Sequence, residues 1–546
     1  MINLDRPSRV WPGAAAATAH RASNSVPGRP LRKAAALVLA APLLLVGCGG
    51  GSSGAAPAVF TAPVAAKSAE AACMELQGQT FEGAVVAKAQ FFPTAGAVPE
   101  NCLVRGEMPK DLAFEVRIPT VWNHRTVFMG GGGFDGVITA SALSPGVAEG
   151  GYATIATNHG HTGSSLGGSF ALDSDMLNDY AYLAVARVLP PAKAIMKARL
   201  GSAEVASAKM VYEGCSGGGR QGLIQAQRYP DAFDGVISRA PANAYTPQFL
   251  YYQKQMKQLA KPGAALSKAK VQAIANAVMG QCDGLDGLKD NVIGRPDLCT
   301  FNLSALKCTG AESDSCLTDT QLESARTMYE PTSVAGGRYT WPGFPLGGET
   351  ADPALLQAWG GLGPTLLGGD FMKYFVAQSA TADPLQIDPA QYTSRLDYLV
   401  GLIDAVNPDL SQFRAHGGKL LLWHGLTDWL ITPHNTTDYY NKVIASAGSQ
   451  ATADQFVEYY QAPGVDHCAN GLGVGQGADK VDLVGPMFDW IEKDVKPSSK
   501  KIVATNSLAA PGTKAMQRPL CKYPQYAKYN GSGDPDAESS FTCTAP

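Results

Sequence analysis

The chain lacks an excess of charge of either sign. Its 546 residues include 44 basic and 47 acidic side chains, which give a net charge of −3, and only eight histidines. Without a basic field, nucleic acid is not an expected partner. The eleven cysteines include no Cys-x-x-Cys pair and no cysteine–histidine cluster at zinc spacing, so a zinc site is not expected. The composition, 45% hydrophobic and 17% charged, is that of a globular protein with large buried cores.

An apolar run long enough to span a membrane is also missing near the start of the chain. The run at residues 34–46 is shorter than the roughly 20 residues of a spanning helix, and basic residues precede it, as in an export signal. It ends in Leu-Val-Gly-Cys at 45–48, which resembles a bacterial lipobox. We therefore expect a signal peptide with lipobox at 1–48 and a flexible Gly/Ser/Ala/Pro linker at 49–70. An ordinary signal peptide with an incidental Cys48 is the alternative.

A lipid on Cys48 would be the only membrane attachment, so the expected location is secreted or periplasmic, anchored to the outer membrane. The ten remaining cysteines are an even number, which favours an oxidising compartment and up to five disulfides. Short spacings suggest Cys308–Cys316, Cys282–Cys299 and Cys521–Cys543, leaving Cys73–Cys102 and Cys215–Cys468. Sequence alone does not fix this connectivity, and it does not give the oligomeric state.

Strand and helix patterns alternate in two parts of the chain. Strands are predicted at 125–129, 152–157, 209–212, 235–238, 419–423 and 455–460, with helices such as 179–199 and 219–228 between them. This alternation predicts a mostly parallel sheet with helices on both faces. The rhythm stops at 243–404, a region with four cysteines, which we interpret as an inserted lid domain over the carboxyl edge of the sheet. The sheet domain then comprises 71–242 and 405–546.

A serine stands where a predicted strand turns into a predicted helix. The sequence Gly-Cys-Ser-Gly-Gly around Ser216 matches G-x-S-x-G, the pattern of a nucleophile elbow. A serine hydroxyl needs a neighbouring base, and His467 is the candidate because it comes last in order and precedes Cys468. A Cys215–Cys468 disulfide would bring Ser216 and His467 together.

The orienting acid of this base has two candidates. Asp428 follows the strand at 419–423 in a short turn, and the order Ser216, Asp428, His467 is that of α/β-hydrolases. Asp466 competes by its position next to His467. Neighbours on a turn rarely point at each other, so Asp428 is preferred.

Glycines supply the expected oxyanion hole. One amide is expected from Gly217, which follows the serine, and the other from the glycine run at 130–133, where Gly132 is favoured without a firm choice. A phosphate-binding role is discounted because no lysine follows at P-loop spacing.

An acidic loop, residues 283–292, is the second constellation. Its carboxylates and tight turns suit a hard cation with oxygen ligands, although the spacing is not that of an EF-hand. The expected ligands of a structural Ca²⁺ are Asp283, Asp286, Asp290 and the carbonyls of Leu288 and Val292. A solvated acidic turn is the alternative.

These motifs together resemble the tannase/feruloyl esterase family of α/β-hydrolases. The family is marked by a Cys-Ser…Asp…His-Cys arrangement, matched here by Cys215-Ser216, Asp428 and His467-Cys468, and by a calcium loop in its lid, matched by the acidic loop. The similarity covers roughly Cys73 to the C-terminus. It implies an α/β-hydrolase fold with a large inserted lid domain and a secreted serine esterase whose substrate is a small aromatic ester.

The resemblance implies feruloyl or galloyl esters, cleaved through an acyl-enzyme without an organic cofactor. Hydrolysis of mono(2-hydroxyethyl) terephthalate is an alternative, although Lys373 is the only cation between 339 and 394 that could meet its free carboxylate. Trp359, Phe371, Tyr374 and Phe375 are either an aromatic clamp for the substrate or core of the lid. A non-catalytic lipoprotein that binds aromatic ligands or glycans is the alternative from another class.

Overall fold

The computed structural model describes residues 67–139, 142–350, 364–468, 477–506 and 515–546. The expected signal peptide, Cys48, most of the linker and Trp359 lie outside these residues. Contacts divide the chain into Met1–Ala65 and a compact unit, Ala66–Pro546, which contains everything described below. Helix α1 begins at Ala69, with Ser68 as its cap, inside the range expected to be linker. Among the described residues no helix is long and apolar enough to cross a membrane.

Within the described ranges, ten strands form one central sheet, and three pairs of short strands lie outside it. The strands are β1 (Thr80–Phe81), β2 (Ala84–Phe92), β3 (Asn101–Glu107), β4 (Ala113–Pro119), β5 (Arg125–Met129), β6 (Ala153–Thr157), β7 (Lys209–Cys215), β8 (Gly235–Arg239), β9 (Thr332–Val334), β10 (Tyr339–Trp341), β11 (Lys419–Gly425), β12 (Val457–Ala462), β13 (Val503–Thr505), β14 (Gln517–Pro519), β15 (Tyr526–Tyr529) and β16 (Phe541–Thr544).

The order in the central sheet is β1-β2-β3-β4-β6-β5-β7-β8-β11-β12. From β6 to β12 the neighbours are parallel, and these six strands are the six that the sequence predicts. The other half, β1 to β4, is antiparallel and was not predicted. Its alternating pattern, as in β4, is that of a meander, which needs no intervening helices.

Helices cover both faces of the sheet and build the lid. They are α1 (Ala69–Met74), α2 (Ser174–Asn178), α3 (Ala184–Leu200), α4 (Ser202–Ser207), α5 (Gly217–Arg228), α6 (Tyr245–Leu259), α7 (Lys268–Cys282), α8 (Asp319–Tyr329), α9 (Thr393–Ile403), α10 (Ser411–Ala415), α11 (Pro433–Ala447), α12 (Gln450–Ala453) and α13 (Val484–Lys493). The predicted helix at 179–199 is a π-helical turn, Asp179–Leu183, followed by α3.

Strand β11 shows why the sheet is buried on both faces. Its Leu420 and Leu422 belong to the core under α3, α5 and α11, whereas Leu421 and Trp423 belong to the core under α13. Alternate residues of a strand point to opposite faces, so an unbroken apolar strand requires two covering layers. The carboxyl ends of these parallel strands meet at one edge, where the candidate site lies.

The residues expected to form the lid, 243–404, share one hydrophobic cluster with residues of the sheet domain. Residues of α6, α7, α8 and α9 and of the β9–β10 hairpin pack with Trp341 at their centre. The same cluster includes Phe134, Phe170 and Trp429, which belong to the sheet domain. The inserted segment is therefore seated directly on the carboxyl edge of the sheet.

Candidate active site

Ser216 occupies a strained turn between β7 and α5. Its φ of 65° and ψ of −124° lie outside the regions that a non-glycine residue normally adopts. The turn is so tight that a Cβ on Gly214 would lie 2.7 Å from the backbone of Gly218. Small residues on both sides are thus required by space, and the sequence pattern around Ser216 corresponds to a true strand–turn–helix elbow.

A disulfide joins this elbow to the loop that carries His467. Cys215 and Cys468 are bonded with their Cα atoms 5.8 Å apart, across 253 residues of sequence. Ser216 follows the first cysteine and His467 precedes the second. The bridge therefore holds the serine and the histidine on adjoining pieces of backbone, at the carboxyl ends of β7 and β12.

The imidazole of His467 faces Asp428. Its Nδ1 lies 2.7 Å from Oδ2 of Asp428, and both side chains are buried. The carboxyl of Asp466 instead accepts the backbone N–H of His467 at its Oδ1, at 2.8 Å. Of the two candidate acids, Asp428 is therefore the one in contact with the imidazole.

Burial and charge act in opposite directions on this pair. Burial alone would raise the pKa of Asp428, but His467 and His424 outweigh it and bring the pKa well below its usual value. Burial would lower the pKa of His467, yet the charge and hydrogen bond of Asp428 outweigh it and raise the pKa above 6.5. Asp466 differs, since burial and the nearby charge of Asp428 raise its pKa to about 7.

A second imidazole contacts the same carboxylate. Nε2 of His424 lies 3.1 Å from Oδ2 of Asp428, and the Oδ1 atom accepts the N–H groups of Leu430 and Ile431 at 2.9 and 2.8 Å. In the sequence, the place of His424 after a predicted strand indicates only that it lies near the site. Its four-residue spacing from Asp428 was the signal, but strand and turn geometry was needed to show that the two side chains meet.

The glycine run at 130–133 abuts the elbow. The Gly218 N–H donates to Gly131 O at 3.1 Å, and a Cβ on Gly217 would lie 2.9 Å from Gly133 O. A Cβ on Gly132 would meet nothing within 4 Å, so this residue faces open space. The two segments expected to supply the oxyanion hole are thus adjacent.

Buried polar side chains form hydrogen bonds in and around this glycine run. Asp135 contacts the imidazole of His159, and the amide of Gln221 lies 3.3 Å from both of its carboxylate oxygens. Tyr180 donates its hydroxyl to Gly133 O at 2.9 Å. Asp135 was missed in the sequence, where no pattern separates it from other acidic residues.

The aromatic residues proposed as a substrate clamp divide between core and periphery. Phe371 and Phe375 are fully buried and stacked on each other at 5.2 Å, and Phe375 also stacks on Phe134. These two residues are lid core and are unavailable to a ligand. Tyr374 is only partly buried, and the ammonium of Lys373 lies 4.9 Å from the centre of its ring.

In the acidic loop, one oxygen of each aspartate carboxylate accepts a hydrogen bond from a backbone N–H group. Asp283 accepts the Asp290 N–H at 3.2 Å, Asp286 accepts the Leu288 N–H at 3.0 Å, and Asp290 accepts the Val292 N–H at 3.1 Å. Within the described ranges, no group of three or more His, Cys, Asp or Glu side chains is arranged to hold a metal ion. Calcium binding stays a prediction.

Two further observations on the acidic loop bear on the prediction of a calcium site. The second oxygen of Asp290 is bonded to Arg518 at 2.6 Å, so a cation would compete with this guanidinium. Burial raises the pKa of Asp286 to about 6, and the charges of Asp290 and Asp283 add to the effect. This crowding of carboxyl groups is what a divalent cation with oxygen ligands would relieve.

The ten cysteines among the described residues form five disulfides. They join Cys73–Cys102, Cys215–Cys468, Cys282–Cys299, Cys308–Cys316 and Cys521–Cys543. Three of these pairs are the ones suggested by short sequence spacings, and the other two join the four cysteines that remained.

Comparison with known proteins places this geometry in a family. A family model described as tannase and feruloyl esterase matches residues 97–544. An uncharacterized esterase of Xanthomonas campestris is 31% identical over 87% of this chain and 92% of that protein. The mono(2-hydroxyethyl) terephthalate hydrolase of Piscinibacter sakaiensis is 29% identical over 83% of this chain and 86% of that protein.

A solved structure shows the same architecture. The crystal structure of feruloyl esterase B from Aspergillus oryzae superimposes with a TM-score of 0.77 and 26% identity, and it covers 87% of this chain and 100% of its own. The expected α/β-hydrolase fold is thereby confirmed. The chain belongs to the tannase and feruloyl esterase family and is a carboxylic ester hydrolase.

Proposed function

We propose that this chain is a serine esterase that cleaves esters of aromatic acids of the feruloyl or galloyl type through an acyl-enzyme. One observation carries the proposal. A disulfide between Cys215 and Cys468 joins the turn of the strained Ser216 to the loop of His467, whose Nδ1 lies 2.7 Å from a buried Asp428. A nucleophile at an elbow, a base and an orienting acid in this order fit acyl transfer.

In the first half of the reaction, Ser216 Oγ attacks the ester carbonyl carbon while its proton passes to His467 Nε2. The tetrahedral oxyanion accepts hydrogen bonds from the N–H of Gly217 and from the glycine run, for which Gly132 is our choice. Its open surroundings leave room for an oxygen atom there. The C–O bond then breaks, His467 protonates the departing alcohol, and the acyl group stays on Ser216.

In the second half, water attacks the acyl-enzyme while His467 takes one of its protons. Breakdown of the second tetrahedral species returns that proton to Ser216 Oγ and releases the acid. Asp428 binds Nδ1–H throughout, so Nε2 stays available for proton transfer and the imidazolium is stabilised. The raised pKa of His467 suits a group that alternates between base and acid near neutral pH.

The acyl class is inferred from relatives, since feruloyl esterase B of Aspergillus oryzae covers 87% of this chain. Terephthalate monoester is the second candidate because of the similarity to the Piscinibacter sakaiensis enzyme. In this chain a free carboxylate could pair with Lys373, a point charge without the planar grip of an arginine. We therefore rank the terephthalate ester second.

The test is turnover of a panel: methyl ferulate, methyl gallate, chlorogenate and mono(2-hydroxyethyl) terephthalate. Ser216→Ala should abolish the hydrolysis, whereas Ser207→Ala, a change at an exposed serine of α4, should leave it intact. A fluorophosphonate probe should label the wild type and not Ser216→Ala. No turnover and no labelling of folded protein would contradict the proposal and favour the ligand-binding lipoprotein instead.

Export and lipidation are part of the proposal. Five disulfides support an oxidising compartment, where small-molecule reductants do not keep thiols reduced. We propose a periplasmic or extracellular enzyme, anchored through a lipid on Cys48. Metabolic labelling with a palmitate analogue should mark the wild type but not Cys48→Ser, and labelling of neither would leave an ordinary signal peptide.

We also propose that the acidic loop binds a structural Ca²⁺. Asp283, Asp286, Asp290 and the carbonyls of Leu288 and Val292 would hold it, and the crowded Asp286 supports a cation there. The ion would tie the lid loop and take no part in the ester chemistry.

A further inference from the structure

The strongest unassigned feature is the environment of His424. This residue lies at the end of β11 and is completely buried, as are Asp428 and Thr436. Its Nε2 faces two acceptors, Asp428 Oδ2 at 3.1 Å and Ile431 O at 3.0 Å. A nitrogen between two acceptors must carry the proton, so this imidazole is a donor at Nε2.

Thr436 on α11 fixes the other side of the ring. Its Oγ1 lies 2.8 Å from Nδ1 of His424, which bears a lone pair in the tautomer required at Nε2. The hydroxyl therefore donates to Nδ1, and the tautomer is set by partners from the turn after β11 and from α11. The ring cannot turn without breaking a buried hydrogen bond on both sides.

The consequence is a carboxylate with no freedom to rotate. Asp428 Oδ1 is held by the Leu430 and Ile431 amides, and Oδ2 is shared between His424 and His467. Without His424, only the His467 imidazole, which must move protons during the reaction, would hold Oδ2. His424 supplies a second donor that takes no part in the proton transfers of the proposed cycle.

We propose that His424, set by Thr436, is a positioning residue for the esterase: its Nε2–H fixes the Asp428 carboxylate in the orientation that receives His467 Nδ1–H. The inference rests on the proposed serine mechanism. His424 touches no reacting atom and acts only through Asp428.

Sharing Oδ2 also adjusts the base electrostatically. A donor from His424 withdraws electron density from the oxygen that stabilises the His467 imidazolium. Removing that donor should strengthen the interaction of Asp428 with His467 and move the ionisation of the base to higher pH. The other ionisable groups that face this cluster are Asp466 and Tyr252, beside Asp428, and His434, beside His424.

The experiment compares His424→Leu, which removes the donor, with His424→Gln, whose amide N–H₂ can donate from a similar position. We expect kcat to fall about 10- to 100-fold in His424→Leu, the range for one lost hydrogen bond to a charged group, with KM changed less than about twofold. The acid limb of the kcat/KM profile should move to higher pH. His424→Gln should recover most of kcat and the position of that limb.

Thr436→Val provides a milder second variant in case His424→Leu does not fold. It should lower kcat by a smaller factor, because the His424 ring loses the hydrogen bond at Nδ1 but keeps its donor at Nε2. Thr327→Val is the matched control: this threonine of α8 donates its hydroxyl to Ser324 O and is not a hydrogen-bond partner of Asp428. Its kcat should match the wild type.

A readout without turnover separates this inference from the proposed function. The low-field proton resonance of His467 Nδ1–H should be present in the wild type and should shift, with a raised pKa for His467, in His424→Leu or Thr436→Val. An unchanged resonance and an unchanged acid limb would overturn the positioning role, as would equal losses in the Leu and Gln variants. Lack of turnover by the wild type, with a shifted resonance in the variants, would overturn the proposed function alone.

Discussion

Replacement of Asp428 by asparagine tests the assignment of the orienting acid most sharply. Both oxygens of Asp428 face donors only: two backbone amides on Oδ1 and two imidazoles on Oδ2. An asparagine N–H₂ in either position would face a donor instead of supplying an acceptor. The largest effect is expected at His467. With the asparagine nitrogen in the place of Oδ2, His467 Nδ1 would lose its acceptor and the imidazole tautomer would no longer be fixed.

The magnitude follows from charge. A carboxylate and an imidazolium about 4 Å apart interact by about 4 kcal/mol at the effective dielectric of proteins, roughly 20. Loss of that stabilisation in the transition state slows the reaction by about 1,000-fold, at 1.36 kcal/mol per factor of ten. A wrong tautomer adds to the loss, so we expect kcat to fall by about 10³ to 10⁴ in Asp428→Asn.

Asp466→Asn is the matched control. The Asp466 carboxyl is also buried and next to the base, but it faces the backbone N–H of His467, and its pKa of about 7 leaves it partly protonated at neutral pH. Asparagine is close in shape to that neutral form and retains a carbonyl acceptor. We expect a loss of kcat of less than about tenfold, the effect of one perturbed hydrogen bond.

The assay is kcat and kcat/KM on the best ester of the panel, with circular dichroism to establish folding of both variants. Equal losses in Asp428→Asn and Asp466→Asn would refute the assignment of roles. An Asp428→Asn enzyme that retains a tenth of wild-type kcat would also refute it, because loss of the carboxylate charge should leave far less activity.

Removal of the Cys215–Cys468 disulfide by Cys215→Ala with Cys468→Ala should lower turnover far more than removal of the Cys308–Cys316 disulfide, since only the former joins the serine and histidine loops. If the two losses of turnover are equal for the same change in Tm, the disulfide does not act as a tether. The kcat/KM value should rise with pH through an ionisation above pH 6.5, because His467 must be neutral to act as base and Asp428 raises its pKa; a midpoint below 6.5 would contradict this. Chelation should lower Tm and calcium should restore it, because calcium at 100 times Kd adds about 2.7 kcal/mol to the free energy of unfolding. A Tm unaffected by both would leave the acidic loop a solvated turn.

How far the sequence predicted the fold depended on the type of strand. The parallel strands were found because each is a short apolar run that ends in a glycine-rich or polar turn, as at β11 and β7. The antiparallel strands β1 to β4 were missed, since half-buried alternating segments such as Ala84–Phe92 resemble polar surface. Their pairing with one another, and that of β4 with β6, decides their identity, and pairing is not a local property.

The site divides in a similar way. The elbow at Ser216 is local, because a strand, a tight turn and a helix are encoded by adjacent glycines and an apolar run. The lid aromatics Phe371 and Phe375 were ambiguous, since an apolar side chain looks the same in sequence whether it contacts a ligand or a neighbour. Their burial against Phe134 places them in the core.

The sequence by itself determined the family, the parallel half of the sheet and the residues able to carry out acyl transfer, because each is encoded in a short segment or in an order of segments. Only the tertiary structure decided which carboxylate meets His467, and that His424 shares it. Asp428 and Asp466 are both acidic residues in turns, and what separates them is the direction of each side chain across strands β11 and β12. That direction is set by register and packing between segments far apart in the chain.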